Sequence, residues 1–271
     1  MLRRFVPFAL LTVLIVSRTE LSVGAVMAGI QTDKTPTAEQ IAETVIFVYG
    51  SRPGLQQVRR NGIERGRVTR TNEEGRPEEG TYERRFIRGE DTGKDKVRLD
   101  RKMPANEYGL IYGSGRVWGI INGTPFTPRQ EATTDFLAQL HHDIDALLRY
   151  KESGATLTFV NKEKQKNVDL WVLDLTDKEK RRTRYYISAL RGRILWLEYE
   201  EPTVSGGTPI KYKKTFHDYR TAQGTLVPFR TVLYAEGKTL QEMNVLTITY
   251  GIKMEDSIFQ NPDTATAATS P

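Results

Sequence analysis

The 271-residue sequence has no cysteine and only three histidines. The first absence excludes disulfide scaffolds, thiolate zinc sites, thiol nucleophiles and a lipidated N-terminal cysteine. There is no glycine-rich nucleotide loop and no Gly-x-Ser-x-Gly elbow, and Gly113-Ser114-Gly115 suits a tight hairpin better than a nucleophile. No apolar run reaches the roughly twenty residues that span a bilayer as a helix. With 38% hydrophobic and 27% charged residues, the composition is that of a folded soluble protein rather than a disordered or fibrous one. Forty Lys and Arg against 34 Asp and Glu give +6, too mild an excess to mark a nucleic-acid interface.

The N-terminus reads as an export signal. Arg3 and Arg4 precede an apolar run from Phe5 to Val16, and small residues follow at Ala25 and Ala28. The expectation is a signal peptide over residues 1–28, cleaved after Ala28, and a periplasmic mature protein; an uncleaved anchor is the alternative. Export puts cytoplasmic DNA and RNA out of reach, so no nucleic-acid partner is expected.

Thr37 and Gln40 have the spacing of a capping box, and Ile41, Val45 and Val48 then recur at helical intervals until Gly50–Gly54 stops them. From Gln57 the apolar period changes to two, and strands are predicted near 58–70, 81–88, 96–102, 108–112 and 116–122. Asn122–Pro125 breaks this meander. Phe136, Leu137, Leu140, Ile144, Leu147 and Leu148 then mark an amphipathic helix over 135–152, with His141, His142, Asp143, Asp145 and Arg149 on its polar face. Seven more strands are predicted between 156 and 252. The residues after 262 have nothing to bury, so a single domain over 29–262 and a disordered tail over 263–271 are expected.

The two halves of the strand-rich region differ. Residues 57–102 carry eleven Arg and three Lys against ten acids, so the basic excess is concentrated there. In the second half, Val168, Leu170 and Val172 alternate with Trp171, Leu173 and Leu175, leaving both faces apolar. Either sheet curvature and loops complete an ordinary core, or a hydrophobic cavity is present. Chemistry finds little to work with. His141 and Asp145 share a helix face but lack a third metal ligand, and Glu73-Glu74 and Glu78-Glu79 fall in a charged loop. No catalytic residue, metal or cofactor is expected.

Phe216-His217-Asp218-Tyr219-Arg220, Gly224, Leu226-Val227-Pro228-Phe229, Leu240-Gln241-Glu242-Met243 and Asp256-Ser257-x-Phe259-x-x-Pro262 resemble the C-terminal half of the outer-membrane lipoprotein-sorting, LolA-like superfamily. The layout of helix, strands, central helical insertion and further strands is also similar. The resemblance implies a mainly β fold: an open, antiparallel half-barrel of about eleven or twelve strands, with an N-terminal helix and a central helical lid. It implies an apolar cavity carrying acyl chains of lipoproteins or other lipids across the envelope, without catalysis. Trp118, Ile120, Phe136, Leu140, Leu147, Trp171, Trp196 and Phe229 are the residues expected to line it. Arg65, Arg67, Arg84 and Arg85 are expected to meet anionic head groups at a transient membrane contact, or a partner. The arginine-rich first half departs from the founding carriers, and relatives of this fold also act as sensors. An interaction module binding an envelope protein is therefore the alternative.

Overall fold

The computed structural model describes residues 35–72, 74–203 and 206–260. The expected signal segment 1–28 and tail 263–271 lie outside them. Among the described residues, thirteen strands form one antiparallel sheet. The chain enters through α1 (Ala38–Tyr49) and α2 (Arg52–Val58), then runs through β1 (Asn61–Thr71), β2 (Pro77–Ile87), β3 (Lys96–Lys102), β4 (Glu107–Gly113), β5 (Arg116–Ile121) and β6 (Thr124–Phe126). Three helices follow, α3 (Gln130–His141), α4 (Ile144–Leu148) and α5 (Tyr150–Ser153). The remaining strands are β7 (Thr156–Gln165), β8 (Val168–Thr176), β9 (Arg182–Ser188), β10 (Ile194–Glu201), β11 (Ile210–Ala222), β12 (Thr225–Ala235) and β13 (Lys238–Tyr250).

Each half is a meander, and β1 pairs with β13 to join them, which leaves β6 and β7 as the two edges of an unclosed sheet. This is the expected open half-barrel. It has one strand more than predicted, because Asn122-Gly123 is a hairpin turn rather than a break: both residues take positive φ, 48° and 83°, the pair that a type I′ turn requires. No helix among the described residues is long and apolar enough to cross a membrane.

The helices lie on the concave face. At α1 the capping box forms as expected: the Gln40 amide donates to Thr37 Oγ1 at 3.2 Å, and the Thr37 amide donates to Gln40 Oε1 at 2.9 Å. Its buried stripe, Ile41, Ala42, Val45, Ile46 and Tyr49, packs with Leu147, Leu173, Tyr185 and Leu197 in one apolar cluster. A second cluster joins Val68, Tyr82, Phe86, Val97 and Leu99 to Phe136 of α3 and Tyr250. Two local expectations are corrected. A new helix, α2, follows the stop at Gly50, with proline in its first turn where the missing N–H costs nothing. The predicted single helix over 135–152 is three short ones. It breaks where Asp143 turns extended and its carboxylate accepts from the Ile144 amide at 2.6 Å, a side-chain cap that restarts the helix.

Candidate functional site

Strand parity decides what faces the concave side. On β1 and β2 the inward residues are Glu64, Gly66 and Val68 opposite Arg84, Tyr82 and Gly80, with Phe86 and Arg88 continuing the row. Gly66 has to be glycine: a Cβ there would lie 2.3 Å from the Asn244 carbonyl and 2.6 Å from the Tyr82 ring. That close approach leaves room for the Tyr82 ring against β1.

Under α3 and α4 this row borders an inner cavity of about 130 Å³. Its apolar wall includes Tyr82, Phe86, Val97 and Leu99 from β2 and β3, Phe136, Leu140 and Ile144 from the helices, and Phe216, Met243, Val245 and Ile248 from the far strands. A cleft of about 280 Å³ runs between β2–β3, the helices and the β8–β9 turn, and a recess of about 510 Å³ lies between α2 and α4–α5. Arg88 and Asp145 line all three spaces.

Set into the apolar wall is a charged group that hydrophobic patterning gave no reason to expect. Arg59, Arg84, Arg88 and Lys214 face Glu64, Asp143 and Asp145. Asp145 Oδ1 lies 3.4 Å from Arg59 Nη1, and its other oxygen pairs with Arg88. Arg88 also donates to Asp95 at 3.1 Å. Burial pushes the Arg88 guanidinium down to about 10, against the attraction of Asp95. Asp143 pairs with Lys214 at 3.2 Å. Its burial would raise the carboxyl, but Lys214 and Arg84 outweigh that and hold it below the usual carboxylate range. Tyr82 donates to Glu64 at 2.7 Å. Arg84 lies over the Phe86 ring at 5.1 Å.

These contacts fasten the three short helices to the sheet. His142, expected on a solvated face, is 1% exposed. Its Nδ1 meets Thr183 Oγ1 at 2.6 Å and its Nε2 meets Glu201 at 2.9 Å, while the ring stacks on Tyr199 with centroids 4.1 Å apart. Tyr185 donates to the Asp143 carbonyl at 2.8 Å, and Arg149 to Asp95 at 2.7 Å and the Gly89 carbonyl at 3.0 Å. The segment is a lid held by polar latches at its perimeter and by Leu147, fully buried, beneath. Among the described residues no group of three His, Asp or Glu could hold a metal, and His141 and Asp145 stand on separate helices.

The predicted lining residues divide. Phe136 and Leu140 line the inner cavity. Trp171 and Leu147 face inward but pack in the cluster around α1, and Phe229 packs at the edge of the other cluster with the Arg220 guanidinium 4.6 Å from its ring. Trp118 and Ile120 face the convex side. Gly119 between them faces in, under the Phe126 ring, where a Cβ would come within 2.3 Å. Trp196 is also convex, stacked on Tyr186 at 4.5 Å. A bulge between Ile194 and Trp196 reverses the alternation there, so Ile194 and Leu197 both point inward. Of the four arginines, Arg65, Arg67 and Arg85 lie on the convex face, where Glu83 takes Arg65 and Arg85, and Asp100 takes Arg85 and Arg98. Only Arg84 faces inward. Arg59, Arg88, Asp143, Asp145 and Lys214 were missed. Arg84 and Arg88 were legible, since they share parity with Tyr82 and Phe86.

No protein-family model matches the sequence, and no curated protein matches it. Solved structures match in fold. A LolA superfamily protein from Nitrosomonas europaea superposes with a TM-score of 0.56 at 12% identity, over 84% of this chain and 99% of that one. A DUF1329 family protein from Desulfovibrio piger gives 0.57 at 11%, over 84% and 99%. A domain assigned to the outer membrane lipoprotein-sorting proteins, from Vibrio parahaemolyticus, gives 0.55 at 13%, over 81% and 97%.

Proposed function

We propose, from the LolA-like fold shared with these structures, that the chain is a non-catalytic periplasmic carrier. It shields acyl chains of lipids or lipoproteins on its concave face for transfer toward the outer membrane. The observation that carries this is the apolar cavity beneath a lid fastened by polar contacts at its perimeter as well as by buried apolar residues such as Leu147. An acyl chain gains about 0.8 kcal/mol for each CH₂ taken from water, so it crosses an aqueous compartment only inside such a wall. The cavity, at about 130 Å³, has room for only about four waters at roughly 30 Å³ each. Ligand sites typically occupy about 300–1,000 Å³. In this reading the structure is the unloaded form, and loading lifts α3–α5 so that inner cavity, cleft and recess merge. As the helices lift, the polar latches can exchange protein partners for water, which makes them suited to reversible opening. Delipidated protein titrated with a fluorescent fatty acyl probe should take it up saturably near one per chain. Absence of uptake would overturn the reading.

The second reading, a module that binds an envelope protein, draws on β7, a ten-residue edge strand. A partner strand adding to it would exploit its unpaired backbone. The bulge at Phe159–Asn161 and the lysines at 162 and 164 blunt that edge, as natural edge strands are blunted against pairing. The carrier is the better-supported reading.

A further inference from the structure

We infer that Arg84 seats an acidic head group inside the concave face, so that the ligand is an amphiphile whose acyl chain ends in a carboxylate or phosphate. The inference rests on the carrier reading and narrows its ligand class. Four cations and three carboxylates border the inner cavity. Each carboxylate is engaged: Asp143 by Lys214, Asp145 by Arg59 and Arg88, and Glu64 by the Tyr82 hydroxyl. Among the described residues Arg84 alone of the four cations has no acidic oxygen within 4.0 Å. Glu64 is its cross-strand neighbour, but its carboxylate turns to Tyr82.

The surroundings make an anion welcome there. Arg84 and Arg88 lie against one ring, Phe86, at 5.1 and 4.8 Å. Two guanidiniums so close repel each other, and Arg88 is already depressed by burial with Arg84 contributing. A carboxylate or phosphate at Arg84 relieves that repulsion and supplies the direct ion pair that Asp143, which feels Arg84 only at longer range, does not make, with the planar fork that Arg offers to such oxygens. Arg84 also borders both the inner cavity and the cleft. A head group held there would direct its tail along Val97, Leu99 and Leu140 into the apolar space. A free anion would gain the charge contact but none of the apolar burial.

The test is displacement of a bound fluorescent acyl probe by oleic acid, oleyl phosphate and methyl oleate, which share one tail. For the wild-type chain the two acids should compete at least about tenfold better than the ester, a difference of about 1.4 kcal/mol. Arg84→Gln should bring the acids down to the level of the ester and leave the ester unchanged, while Arg84→Lys keeps the preference. Equal competition by acid and ester in the wild type overturns the assignment whether or not any variant folds, and leaves the carrier reading standing. Persistence of the preference in Arg84→Gln also overturns it. Displacement by inorganic phosphate alone would make this a free-anion site and overturn the amphiphile. A chain that takes up neither probe nor ester sinks the carrier reading and the head-group site together.

Discussion

Asp145 is the latch most worth breaking. Its two oxygens hold Arg59 at 3.4 Å and Arg88, and both arginines are largely buried. Asp145→Asn keeps the shape and removes the charge. Removing one partner of a buried ion pair typically costs about 3–5 kcal/mol, because the other charge is left uncompensated. Here the loss is smaller. Arg88 keeps Asp95, and Arg59 keeps the Leu226 carbonyl at 2.6 Å and Thr225 at 3.2 Å. Asp95, however, must already serve Arg149 through the same oxygen. We expect about 2–3 kcal/mol, which at a urea m-value of roughly 2–3 kcal/mol/M moves the unfolding midpoint down by about 1 M. Because α4 carries Asp145, the variant should also take up an acyl probe faster. The control is Asp218→Asn, which breaks an exposed pair with Arg220 and should cost less than about 0.5 kcal/mol. If Asp145→Asn behaves like this control in both stability and uptake rate, the lid is not held by its charges and the reasoning fails.

Leu147→Ala should cost about 2–5 kcal/mol, since the side chain is 0% exposed between α1 and the sheet. Leu190→Ala, at 90% exposure, should stay within about 0.5 kcal/mol in the same thermal melts. Burial, helped by Arg181, lowers the His141 imidazole from 6.5 to about 4. The unfolded chain therefore takes up this proton first. The stability His141 contributes is complete above about pH 6.5 and falls by up to about 3 kcal/mol as pH drops toward 4. Urea titrations across that window should show the decline, and His141→Gln should flatten it. The side chains of Gln139 on α3 and Gln241 on β13 meet at 3.5 Å. In a chain with no cysteine of its own, Gln139→Cys with Gln241→Cys offers a unique pair for a short bismaleimide. Cross-linking should block probe uptake, and the unlinked double variant should retain it; unchanged uptake in the linked protein would mean that α3 need not move.

Local signals in the sequence translated well where a single interaction settles the geometry. Thr37 and Gln40 announced α1, and Gly113-Ser114-Gly115 announced the β4–β5 hairpin, whose Ser114 and Gly115 take φ of 51° and 73°. The resemblance motif around 216–229 led to the open sheet. The facing of side chains was harder to read. Hydropathy favours Trp118 and Ile120 as the inward pair, but the space is filled by Phe126, a residue of the strand that the Asn122-Gly123 turn concealed. The short turn at Asp256–Phe259 supplies a second cover on the convex side, with Phe259 3% exposed. Trp196 was misplaced by one bulge, which no period-two count can anticipate. His142, Asp143 and Asp145 looked like a solvated helix face because the break at Asp143 is set by tertiary partners, Thr183, Glu201 and Lys214, that lie 41 to 71 residues away in sequence. The polar lining of the cavity escaped notice for the same reason: Arg59, Arg88 and Lys214 owe their burial to carboxylates on other elements.

The most direct test of the account is native mass spectrometry of the protein purified from its native cells, before and after incubation with membranes. The account predicts a population carrying a bound lipid or acylated peptide with an acidic head, lost on delipidation and restored by membranes. A chain that stays at its apo mass throughout would contradict it.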